Sequence, residues 1–332
     1  MRTRSLLTAI AALTVATGLL APSAAADPGC TWQLSPLPVR SGMDWSTLRI
    51  TGVDAQGGVS GFHTSARGAG DHALTRWTSA GVEVLPRPEG ATAFVTIAGN
   101  ASGLVIGRVE LAGGGAALMT HAPGTGYRTL PLPAGYDAAW FTLVDVNDRG
   151  DVLAKWWGTS ALPQAAVLWR AEDGVPVVIA PPEVPRPNPV AIRNDGTVLL
   201  GGTWDPVWLW RDGALTSLGD WGSSVRPRDL TKDGLLATRD YDSPRTSWKW
   251  HESTGRMERF AVDGVVEEVN EDGLAIGYLD DGDYTYAVWQ GTEFLAELPK
   301  APFATEATAS AVGANGVIAG FSGTKPVVWT CR

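Results

Sequence analysis

The residues of this chain best able to do chemistry are its aromatic and charged side chains, and their spacing says where they would meet. Six of the 15 tryptophans, Trp77, Trp169, Trp210, Trp250, Trp289 and Trp329, recur in register with one another, as packing residues of a repeat do. Trp140, Trp157, Trp204 and Trp221 fall outside that register. They belong to segments that join the second and third strands of a repeat or link one repeat to the next. Asp137, Asp205, Arg226 and Asp240 are near them in sequence. Indole rings brought together on such loops stack on a sugar or grip a peptide, while neighbouring charges orient it. Trp140, Trp157, Trp204, Trp221, Asp205, Arg226 and Asp240 are therefore the candidate ligand-binding residues.

Other chemistry has less to work with. The 4 histidines, His63, His72, His121 and His251, are spread without metal-ligand spacing. His72 and His121 occupy repeat positions, where packing is the expected role, and His251 follows Trp250 in a turn. The chain has no G-x-S-x-G elbow, and no phosphate loop, dinucleotide fingerprint or zinc-protease motif. The densest acidic run, Leu279 to Tyr284, holds Asp280, Asp281 and Asp283. A calcium loop needs alternating oxygen ligands, which this run lacks, so a solvated loop is expected and calcium is the alternative. Asp240-Tyr241-Asp242 occupies the corresponding loop one repeat earlier. No catalytic set, resident metal or cofactor is expected.

The elements that must carry these residues follow from an internal repeat. A turn rich in Asn, Asp and Gly returns seven times, ending at Gly57, Gly103, Gly150, Gly196, Gly234, Gly273 and Gly316, with spacings of 46, 47, 46, 38, 39 and 43 residues. Asn and Asp close such turns with side-chain to backbone bonds, and Gly accepts the left-handed backbone. Each turn is followed by a short apolar strand, such as L-V-I-G-R or L-A-I-G-Y. The third strand of the repeat ends in Trp (His121 in the second copy), and the fourth often ends near Leu-Pro. Four short strands per repeat of this length predict the blades of an all-β, seven-bladed β-propeller.

The seventh copy stops at Arg332 without its outer strand, and Trp32 to Pro38 reads as an outer strand without a blade. Pairing the two closes the ring and brings Cys30 beside Cys331, the only cysteines. At opposite ends of an exported chain, such a pair is a disulfide candidate.

Export is expected from the first 26 residues: Arg2 and Arg4, an apolar stretch from about Leu6 to Leu20, then a small-residue exit at Ala26. The run is short for a membrane span, and no second one of spanning length follows. Residues 27–332 then form a single domain. Loss of Arg2 and Arg4 leaves 24 basic residues against 35 acidic, a net charge of −11. Scattered positive charge on an acidic chain does not suit nucleic acid or anionic membranes.

The repeats resemble those of the extracellular HAF-repeat propellers, named for a His-Ala-Phe signature. His72-Ala73-Leu74 before Trp77 comes nearest to it. Ala165 to Trp169 (A-A-V-L-W) and Tyr286 to Trp289 (Y-A-V-W) keep the Ala and Trp. Val146-Asn147 with Gly150 and Val269-Asn270 with Gly273 match the family's turn. The resemblance implies the fold and export, and it supplies no catalytic residues. The expected function is a secreted, non-catalytic, monomeric binding module for an extracellular glycan or protein. The alternative is a carbohydrate-active hydrolase or lyase using loop-face carboxylates.

Overall fold

The computed structural model describes residues 30–40, 47–64, 72–202, 205–222, 224–239 and 244–332. The expected signal peptide, residues 1–26, lies outside them, as do Trp204 and Asp240. The chain is a seven-bladed β-propeller of seven four-stranded antiparallel sheets. The innermost strands, in blade order, are Arg49–Val53, Ala91–Gly99, Phe141–Val146, Pro189–Ile192, Val225–Thr231, Gly264–Val269 and Ala307–Val312. Because each blade is an up-and-down sheet, its first and third turns share one face of the disc, the turn face. The loops between second and third strands share the other, the loop face, with the links between blades.

Burial follows position in the blade. Ala165–Trp169, a third strand sandwiched between neighbouring blades, is buried at every residue, whereas the outer strand Arg256–Arg259 is exposed at every residue. Among the described residues the core divides into seven apolar clusters, each filling a seam between two blades. The predicted tryptophan register is present. Trp77, His121, Trp169, Trp210, Trp250, Trp289 and Trp329 each stand opposite a residue at the start of the second strand. Three of these indoles also latch the preceding blade: Trp77, Trp169 and Trp329 donate Nε1–H to the carbonyls of Pro38, Pro131 and Pro299, at 2.9, 2.7 and 2.9 Å. Prolines just beyond the outer strands thus present carbonyls for the next blade's tryptophan.

The Asn of the repeated turn has two partners. Asn100 Oδ1 accepts from Ser102 and Leu104 backbone N–H, while its Nδ2 donates to Asn147 O in the next blade. Asn147 and Asn270 repeat this with Arg193 O and Gly313 O. Six of the seven turn glycines have the expected positive φ, between 76° and 90°. Gly234 departs from the pattern. It faces Thr231 across a two-residue turn and belongs to the strand, where an added Cβ would sit 1.8 Å from Trp250 O. Blade 5 therefore turns one residue earlier than its neighbours.

The last blade closes as expected. Trp32–Pro36 pairs antiparallel with Lys325–Cys331, Trp32 opposite Cys331, and a Cys30–Cys331 disulfide joins the ends across 301 residues. No helix among the described residues is long and apolar enough to cross a membrane.

Candidate functional site

Every innermost strand carries a β-bulge between its middle and its turn. A bulge adds a residue and re-aims a side chain. Here the extra residues, Thr51, Ile97, Val144, Val190, Arg228, Glu267 and Ser310, one from each blade, line a cavity of about 330 Å³ in the turn-face half of the central channel. Beside the bulge the inner and second strands also run close together. A Cβ on Gly277 or Gly320 would lie 2.0 Å from Val265 O or Thr308 O, so neither position admits a side chain without moving the inner strand.

The residue after each bulge faces the next blade. In four blades it is small: Gly52, Ala98, Ala191 and Ala311. In the other three it is acidic, and its carboxylate accepts a backbone N–H from the neighbouring inner strand. Asp145 Oδ2 accepts from Ile192 N (2.9 Å), Asp229 Oδ2 from Val269 N (3.1 Å) and Glu268 Oε1 from Val312 N (3.3 Å). Enclosure by the channel wall raises all three above the usual carboxylate range. For Asp229 the charges of Asp145 and Glu268 add to burial. Glu268 is pushed up to about 8, chiefly by burial.

The turn-face mouth is bridged. Asn194 N donates to Glu271 Oε1 (2.8 Å), joining blade 4 to blade 6 past blade 5. Asp148 N donates to Asn194 Oδ1, and Asn194 Nδ2 to Asp148 Oδ2. The short turn of blade 5 leaves room for this bridge. Arg193, buried where four other blades have Asn or Asp, supports it from below, with Asp195, Glu252 and the carbonyls of Thr231 and Lys232 as acceptors.

On the loop face the candidate residues separate. Trp140 and Trp157 lie on adjoining strand ends of blade 3, 51% and 53% exposed, with Trp157 N donating to Trp140 O. Trp140 ends a single 3₁₀ turn, Ala138–Trp140, capped by Asp137, whose Oδ1 accepts from Ala139 N. Trp157 Nε1 donates to Thr142 Oγ1 (2.9 Å), and the Lys155 ammonium sits 3.7 Å from its ring centre while donating to Asn188 Oδ1. Trp221 packs on the seam between blades 4 and 5 and donates to Leu218 O. Arg226 is partly buried in the inner strand of blade 5, opposite Thr238. Asp205 begins the third strand of blade 4, and its side chain lies outside the described residues, as do Trp204 and Asp240.

The acidic loop is internally occupied. Asp280 Oδ2 accepts from Arg245 N, and its carboxylate pairs with the Arg245 guanidinium. Asp281 Oδ1 accepts from Asp283 N and Thr285 N. Among the described residues no group of three or more His, Cys, Asp and Glu side chains is arranged to hold a metal ion. The histidines are engaged within their own blades, His63 and His72 in blade 1, His121 in blade 2 and His251 in blade 5. His63 Nδ1 bonds Thr75 Oγ1, His72 meets Phe62 edge to face, His121 packs on Tyr127, and His251 bonds Glu258.

The channel ring was missed in the sequence, yet it carries a signal. Each bulge residue stands three positions before the first residue of its turn, as Thr51 before Asp54 and Glu267 before Asn270.

No family model and no curated protein matches the chain. Solved structures share its fold. A streptogramin B lyase aligns over 91% of this chain and 98% of its own, at TM-score 0.57 and 11% identity. The oligogalacturonate lyase of Vibrio parahaemolyticus aligns over 90% and 96%, at 0.55 and 11%. The β-propeller domain of the Trilobed protease from Pyrococcus furiosus aligns over 86% and 97%, at 0.59 and 10%. That domain is described as having an open velcro topology; here the ring is closed by a strand and a disulfide. At these identities the likeness is one of fold, and this fold serves unrelated activities.

Proposed function

We propose that this chain is a secreted, non-catalytic binding propeller whose loop face takes an extracellular carbohydrate, with Trp140 and Trp157 of blade 3 as the stacking rings. The observation that carries the reading is the pair of half-exposed indoles on adjoining strand ends. Large apolar rings left open to water side by side mark interaction sites. These two are also held in place. Trp157 is fixed through its ring N–H by Thr142 and has one face under Lys155, while the Asp137 cap sets Trp140. Ordering such rings before the ligand arrives lowers the conformational cost of binding. Each aromatic contact adds about 0.5–1.5 kcal/mol beyond its buried area.

The HAF-repeat resemblance supports export, and a disulfide between the chain ends suits an oxidising compartment. One structural neighbour is an oligogalacturonate lyase, which keeps a carbohydrate-active enzyme as the alternative. Against it, Asp145, Asp229 and Glu268, the acids that burial in the channel wall raises above the usual carboxylate range, already bind backbone N–H groups of the next blade.

A screen of neutral and acidic polysaccharides read by tryptophan fluorescence tests the proposal. Saturable binding is expected, weakened about tenfold or more by Trp140→Ala and by Trp157→Ala, with unchanged thermal stability. Silence across the panel from a folded protein, or binding indifferent to both substitutions, would overturn it.

A further inference from the structure

The link from blade 6 to blade 7 contains a residue that local energetics alone does not explain. Phe303 is 105% exposed and has φ +69°. It is the third residue of the turn Ala301-Pro302-Phe303-Ala304, closed by Ala304 N donating to Ala301 O. Proline second and a left-handed residue third is the type II arrangement, where glycine is the relaxed choice. A phenylalanine there is strained, and full exposure gives it no burial in return. The turn is not a loose tip. Ala301 N donates to the buried Ser322 Oγ, Lys300 Nζ to Thr305 O, and Gly323 N to Glu306 O, while Pro299 O accepts the Trp329 indole. A strained conformation held by its surroundings points toward function.

On the same face, beside it, the blade 5 to blade 6 link and the loop of blade 6 enclose an open groove lined by Phe260, Val262 and Leu279, with the Arg259–Asp263 ion pair in its wall and Asp280 and Asp281 at its edge. Val262 is itself exposed, and Asp283 stands in solvent just beyond. Lys300, next to the Phe303 turn, is exposed as well. Knob and groove thus share a face, one flanked by a cation and the other by acids.

We propose that Phe303 anchors a two-fold self-association of this chain. Phe303 of each copy enters the groove of the other, and Lys300 faces the Asp281–Asp283 loop. Because both halves of the contact lie on one face, a single two-fold rotation satisfies both copies and closes the assembly. The Trp140–Trp157 site, in blade 3, is across the ring from this contact.

Sedimentation velocity of the protein, from roughly micromolar to hundreds of micromolar, tests this. The wild type is expected to dimerise with concentration. Phe303→Gly weakens the dimer at least about tenfold while raising the melting temperature, because glycine relieves the backbone and only an anchor is lost. Lys300→Glu weakens the dimer, and adding Asp283→Lys restores it. A wild type monomeric at every concentration, a Phe303→Gly protein that dimerises undiminished, or a fall in its melting temperature would overturn the proposal.

Discussion

Glu268→Gln raises the stability of the propeller at pH 9 and leaves it nearly unchanged at pH 5. In the folded protein the Glu268 carboxyl lies in the channel wall with its pKa pushed up to about 8 by burial, and its Oε1 accepts the Val312 N–H. Unfolded, it returns to the ordinary carboxylate range. Between those two pKa values the folded state holds a proton that the unfolded chain has released. The stability this adds is fully present below the unfolded pKa and is lost as pH rises through about 8. Glutamine keeps an acceptor for Val312 and never ionises. The gain at alkaline pH is on the order of 2–4 kcal/mol, since each tenfold change in the ionisation equilibrium is worth roughly 1.36 kcal/mol and neighbours compensate in part. The acids around it act in the same direction or are shared. Asp145 and Glu267 disfavour its ionisation, Asp229 is raised by it in turn, and Arg228 lines the same channel. Urea unfolding at the two pH values checks this; equal pH dependence in wild type and variant would refute the buried-acid reading.

Cys30→Ser with Cys331→Ser lowers stability by about 2–5 kcal/mol and makes the protein indifferent to reductant. The bond closes a loop of 301 residues, and the chain-entropy cost of opening such a loop is about 5 kcal/mol, an upper bound for the loss. The fold itself persists, because Trp32–Pro36 remains paired with Lys325–Cys331 and the Thr31 and Arg332 backbones bond each other in both directions. The reduced wild type should match the double serine variant in urea midpoint. A variant as stable as the oxidised wild type would mean that strand pairing alone holds the ring.

The architecture was readable because each blade solves the same local problem with the same residues. A turn needs Asn or Asp with Gly, and an indole on the third strand fills the seam. Position fixed those roles in all but blade 5, where the Thr231–Gly234 turn closes one residue early and no composition rule marks the change. The closing strand was legible for a different reason: a blade lacking its outer strand and an outer strand lacking its blade lie at opposite ends of one chain. The channel was not read. Whether Glu267 or Glu268 faces the cavity or the next blade depends on a bulge that offsets the strand by one residue, and alternation without the bulge would misplace both. Trp140 and Trp157 were picked out by falling outside the repeat, as was Trp221, but only the fold separates two exposed indoles from one packed on a seam. Phe303 stayed hidden because Pro-Phe in a loop is unremarked until its backbone is seen to be left-handed.

The most direct measurement of the central claim is fluorine NMR of the protein labelled with 5-fluorotryptophan, titrated with a glycan found in the screen. Trp140→Phe and Trp157→Phe would assign two of the 15 tryptophan resonances. Saturable shifts confined to those two signals are the expected result. Shifts confined to other tryptophans, or none at saturating ligand, would contradict a carbohydrate site on blade 3.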